Sequence, residues 1–100
     1  MRSIALSDGP IGVRGADHQA SPSAQAPSPS AMAATWDENA LARLGVLMAG
    51  EARRKGADVV LAPVVNLQRA PIGGRHFECY SEDPLLTGAI AVHVLSLIHI

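Results

Sequence analysis

Apolar side chains gather in separate blocks along the chain, and their spacing differs from block to block. Residues 3–7, SIALS, are a short apolar run halted by Asp8-Gly9-Pro10, which predicts a strand that ends in a tight turn. Leu41, Leu44, Met48 and Ala52 recur at i, i+3, i+7 and i+11, one stripe of a helix, with Arg43, Glu51 and Arg54 off that stripe. Thr35 and Glu38 have the spacing of a capping box, so the helix is expected to begin there or at Asp37. Arg53, Arg54 and Lys55 sit where the negative end of the helix dipole favours cations, and Gly56 can take the left-handed conformation that stops it. Residues 59–65, VVLAPVV, are β-branched without alternation, as expected of a strand buried on both faces of a parallel sheet. Pro63 lacks a ladder donor and belongs near that strand's end. Pro84 suits the first position of a last helix, capped by Asp83 or Ser81.

Strand, helix, strand, helix is the order of α/β folds. The loop from Asn66 to Asp83 then leaves the C-terminal end of a buried strand, the edge at which ligands bind in parallel α/β folds. Asp8 lies at the same kind of place after the first strand, so two charged, glycine-flanked loops can meet at one pocket.

Composition narrows the reading. The chain of 100 residues is enough for one small domain, and 48% apolar content is that of a globular chain. Residues 17–31, DHQASPSAQAPSPSA, break the pattern as a Pro/Ser/Ala-rich loop. A net charge of -1, with scattered basic residues, offers no footprint for nucleic acid or an anionic membrane. The C-terminal run LLTGAIAVHVLSLIHI has 16 residues and two histidines; a bilayer-spanning helix needs roughly 20. It reads as a core helix with an atypical end at residues 93–100. MRSIALSDGP lacks the apolar core and cleavage site of a secretory signal. Localisation and oligomeric state stay open. Cys79, alone, allows no internal disulfide and has no companion at metal-ligand spacing.

The chemistry-bearing residues each allow a structural and a functional role. Asp8 can accept hydrogen bonds from two adjacent hydroxyls of a polyol, or it can merely shape an Asx-turn. Arg75, after Gly73-Gly74, is a five-donor fork where a ligand can approach the backbone, or it pairs internally with Glu78 or Glu82. These roles are compatible, with one carboxylate aiming the arginine. Glu78, Glu82 and Asp83 share one loop and can hardly flank a scissile bond from opposite faces. Orientation of Arg75 for Glu78, and helix capping for Ser81 to Asp83, are expected instead. His18, His76, His93 and His99 show no metal spacing, and His93 and His99 read as passengers on a helix. The IGGR stretch matches neither phosphate-loop pattern, so no metal or cofactor is expected. Trp36 is either a packing anchor or a stacking surface.

Read in order, the SDGP-x-G-V-R turn, the A-A-T-W-D helix start and the run A-P-x-x-N-x-x-R-x-P-x-G-G-R-x-F-E-x-Y-S-E-D-P carry a resemblance. They resemble the N-terminal domain of glycoside hydrolase family 3, the β-glucosidase and β-xylosidase family, over residues 4–92. The resemblance implies a fragment of that domain, truncated at both ends: the first two or three βα units of a (β/α)8 TIM-like barrel. It implies retaining hydrolysis of a small carbohydrate substrate in a longer parent. Asp8 matches the carboxylate that binds sugar hydroxyls in the non-reducing-end subsite, Arg75 the arginine that donates to the same ring, and Arg14 the arginine that closes the SDGP turn. His76 stands where asparagine is common, and LSLIHI departs from the family's polar helix end. The family's lysine-histidine pair, nucleophile and acid/base are expected beyond residue 100, which leaves the piece alone inactive. A noncatalytic carbohydrate-binding or structural α/β domain is the alternative.

Overall fold

The computed structural model describes residues 3–15 and 22–98, with side chains up to Ser96. Its elements run β1 (Leu6–Asp8), α1 (Pro29–Ala33), α2 (Glu38–Arg54), β2 (Val59–Leu61), a 3-10 turn over His76–Glu78, and α3 (Pro84–Ile98). The α/β order expected from the sequence is present. The short helix α1 lies at the end of the proline-rich segment, where Ser28 accepts from the Ala31 amide and Pro29 occupies the first turn.

Helix α2 starts where its signals compete. The Asp37 carboxylate accepts from Ala40 N at 2.9 Å and is the cap. Thr35 does not cap it: its hydroxyl donates to Met32 O at 2.7 Å and so finishes α1 instead. At the other end Gly56 has φ 68°, the left-handed stop its position suggests. Leu41, Met48 and Ala52 of the apolar stripe are buried, but so is Glu51. Glu51 is paired with Arg54, lies 3.7 Å from Lys55 Nζ and accepts from Ala24 N at 3.3 Å, so its charge is compensated by cations and a backbone donor.

β1 and β2 pair in parallel, with Leu6 against Val59, Ser7 against Val60 and Asp8 against Leu61. Successive side chains alternate between faces. Ser7 is buried, and Val60 packs with Val13, Met48 and Ala52 under α2. The opposite face is open, which corrects the expectation of a strand buried on both sides: Val59 is 42% and Leu61 52% exposed. The physical reason is that helices cover only one side of the pair. β2 also stops at Leu61, short of Pro63, and Val64 then makes a single bridge to Cys79.

The main core lies between α2, α3 and α1. Ile90, Ala91 and Val94 of α3 meet Leu41, Met32, Ala33 and Tyr80, and a fully buried side chain such as Ile90 contributes roughly 1.5–3 kcal/mol. Asp83 caps α3 by accepting from Leu85 N at 2.9 Å, while its own amide donates to Ser81 Oγ at 3.0 Å. His93 is less idle than a passenger, since Nδ1 donates to Ala89 O at 2.7 Å and Nε2 lies 3.4 Å from Glu38 of α2. Trp36 is 73% exposed, so it is no packing anchor among the described residues. His18 and His99 lie outside the described residues. No helix among the described residues is long and apolar enough to cross a membrane.

Burial pushes the Tyr80 hydroxyl up to about 12 from its ordinary 10. Below the unfolded value both states hold the proton; above it the unfolded chain releases a proton that the native chain keeps, so stability falls as pH rises through this window. Tyr80 is the one tyrosine in the chain, so tyrosinate absorbance reads it directly. A native midpoint near about 12 is expected, and Tyr80→Phe should flatten the alkaline loss of stability; a midpoint at the ordinary phenol value would contradict this burial.

Candidate functional site

Parallel pairing brings the ends of β1 and β2 to one edge, and the loops that leave them build a cavity there. Asp8 is the last residue of β1 rather than a member of the turn, so the ladder fixes its backbone. The turn after it is tied to the strand: Arg14 N donates to Asp8 O at 3.1 Å, Gly15 N to Ser7 Oγ at 2.8 Å, and Gly12 N to Gly9 O at 3.2 Å. Ile11 O accepts from Ala26 N at 2.9 Å, which pins the turn to the segment leading into α1. From below, the almost wholly buried Lys55 donates to Val13 O at 2.8 Å and to Ser23 Oγ.

The second loop supplies Arg75 at the start of the 3-10 turn. Its Nε donates to Glu78 Oε2 at 2.7 Å and its Nη2 lies 2.6 Å from the same oxygen. The i,i+3 spacing within the turn makes this possible, and the Glu78 side chain is far less exposed than the arginine, 15% against 77%. A carboxylate thus fixes one edge of the guanidinium, whose remaining donors face outward.

Asp8, Arg14, Arg75 and Glu78 line one cavity of about 580 Å³, together with Leu61, Phe77 and the turn of residues 9–12. The structure therefore brings Asp8, Arg14, Arg75 and Glu78, the four site residues named from the sequence, to one cavity. Phe77 and Leu61 were not among them. Leu61 hid inside a run that looked wholly buried, and an aromatic beside Arg75 was the available signal for Phe77. The set offers one acceptor carboxylate, two guanidinium donors and two apolar walls, which suits a small molecule with several hydroxyls and an apolar ring face. Glu82 is elsewhere, on a groove with Ser30, Trp36, Gln68 and Tyr80. Among the described residues no group of His, Cys, Asp and Glu is placed to hold a metal ion.

Residues 12–99 match the Glycosyl hydrolase family 3 N terminal domain. A β-glucosidase of Rhizobium radiobacter is 50% identical over 91 residues, which are 89% of this chain and 11% of that protein. The structure of β-glucosidase 3B from Thermotoga neapolitana in complex with glucose superposes with a TM-score of 0.90 at 36% identity, covering 99% of this chain and 14% of that one. The β-glucosidase from Kluyveromyces marxianus in complex with glucose gives a TM-score of 0.90 at 41% identity, over 96% and 12%. The chain thus spans about a tenth of the length of the curated relatives it matches.

The cavity floor depends on Gly12, whose φ is 138° and where an added Cβ would stand 2.7 Å from the Ala24 carbonyl oxygen. Gly12→Ala should destabilise the fold by roughly 1–3 kcal/mol in urea unfolding, from backbone strain and overpacking. Gly50 lies mid-helix with nothing within 4 Å of an added Cβ, so Gly50→Ala should stabilise by up to about 1 kcal/mol. Equal effects of the two substitutions would refute the close approach at Gly12.

Proposed function

From the premise that the chain belongs to glycosyl hydrolase family 3, as a piece of its N-terminal domain, we propose that it forms the sugar-holding edge of a β-glucosidase. The observation that carries this reading is the convergence of Asp8, Arg14 and Arg75 on one cavity. In the parent enzyme the Asp8 carboxylate accepts from two adjacent hydroxyls of the non-reducing terminal glucosyl or xylosyl residue. Arg75, aimed by Glu78, donates to hydroxyls of the same ring. Arg14 closes the turn over it, and Phe77 and Leu61 face the carbon skeleton.

Retaining hydrolysis passes through an oxocarbenium-like transition state with two carboxylates at the scissile bond, and hydrogen bonds to ring hydroxyls that tighten there add to the rate. In this reading the nucleophile and acid/base come from other parts of a longer protein. Asp8 and Arg75 contribute by holding the ring, not by moving a proton or forming a bond. The open sheet face is explained the same way: Leu6, Val59 and Leu61 point to the interior of a (β/α)8 barrel whose opening units are these, with helices outside.

The test uses the full-length protein that contains this segment and an aryl β-glucoside. Arg75→Ala should lower kcat/KM through loss of charge-assisted hydrogen bonds, on the order of 1.5–3 kcal/mol each. Glu82→Gln, in a different groove, should leave turnover nearly unchanged. Equal losses from the two would contradict the assignment, and glucose binding without hydrolysis in the unsubstituted protein would favour a carbohydrate-binding domain.

A further inference from the structure

Arg75 cannot hold itself in place. Its side chain is 77% exposed and touches the protein through Glu78, a residue of the same turn. The placement of both must therefore come from whatever fixes the backbone of residues 75–79. The preceding Gly73-Gly74 gives no support from side chains, and the Val64 bridge to Cys79 is isolated.

Two side chains from other segments reach that backbone. Gln68 Nε2 lies 2.8 Å from Ser30 Oγ, 3.0 Å from His76 O and 3.2 Å from Cys79 O. Ser30 Oγ lies 2.9 Å from Cys79 O, 3.3 Å from His76 O and 3.5 Å from Phe77 O. An amide NH2 carries two protons and a hydroxyl one. The shortest contacts use all of them: Gln68 donates to Ser30 Oγ and to His76 O, and the Ser30 hydroxyl donates to Cys79 O. His76 O also accepts from Cys79 N at 3.0 Å, the bond that closes the turn. Neither Gln68 nor Ser30 lines the cavity of Asp8 and Arg75; both line the separate groove that holds Trp36 and Glu82.

We propose that Gln68 and Ser30 are positioning residues for Arg75, which act on the sugar only through the carbonyls of the turn that carries it. The inference rests on the reading of Arg75 as a sugar ligand. Gln68→Glu tests it with little change of shape, since the carboxylate replaces the amide donor with an acceptor that faces the His76 and Cys79 carbonyls.

The experiment is a double-mutant cycle in the full-length protein, reading kcat/KM on an aryl β-glucoside with the melting temperature of each variant. Gln68→Glu alone should lower kcat/KM on the order of tenfold or more, as misplacement of a binding group does. In an Arg75→Ala background the same substitution should change it by less than about twofold, because coupled residues are not additive. Equal losses in both backgrounds, or no loss in either, would overturn the proposal, since a purely structural role is blind to Arg75. If Gln68→Glu does not fold, Ser30→Ala goes through the same cycle with the same criteria. Failure of both to fold would overturn it, by assigning the network to the fold. An Arg75→Ala variant with unchanged kcat/KM would instead remove the sugar-binding reading, and this inference with it.

Discussion

The parallel pairing of β1 with β2 decides where every other part can lie. Parallel neighbours cannot be joined by a tight turn; the chain must return along the sheet before the second strand starts. Here α2 makes that return, so the loops after both strands emerge at the same edge. Asp8 ends one strand and Asn66 to Asp83 follows the other, and a carboxylate and an arginine far apart in sequence meet at a single cavity. One strand register thus carries the site.

The edge is then held by polar contacts aimed at backbone rather than at side chains. Lys55 reaches Val13 O beneath the first loop, while Ser30 and Gln68 reach the carbonyls of His76 and Cys79 behind the second. Loop carbonyls that no ladder satisfies need donors when partly buried. The same donors also tie the two loops at the cavity to the segments beside them. The charges that line the cavity are left with few internal partners: Arg75 has Glu78, and no side-chain hydrogen bond to the Asp8 carboxylate occurs among the described residues.

The limits of sequence reading follow from the range of each interaction. α2 was legible from Asp37 to Gly56 because caps, dipole and apolar stripe are all local signals. The choice of Asp37 over Thr35 was not, since it turned on α1 claiming the threonine hydroxyl. α1 itself is five residues long, too short for periodicity to show. β2 read as buried on both faces because β-branched runs report the environment a strand is suited to, and the strand meets that environment only on the Val60 face, with Val59 and Leu61 on the open one. That Asp8, Arg14, Arg75 and Glu78 share one cavity was legible from loop position and motif. Gln68 and Ser30 were not, because their acceptors are carbonyls, which leave no mark in sequence.

In the proposed function Asp8 and Arg75 grip one sugar ring from two loops at one sheet edge. A crystal structure of the full-length protein soaked with glucose tests it most directly. Two adjacent ring hydroxyls within hydrogen-bond distance of the Asp8 carboxylate, and a third within reach of the Arg75 guanidinium while Glu78 keeps its hold on the other edge, is the predicted result. Glucose bound away from this edge, with Asp8 and Arg75 contacting only solvent or each other, would contradict it.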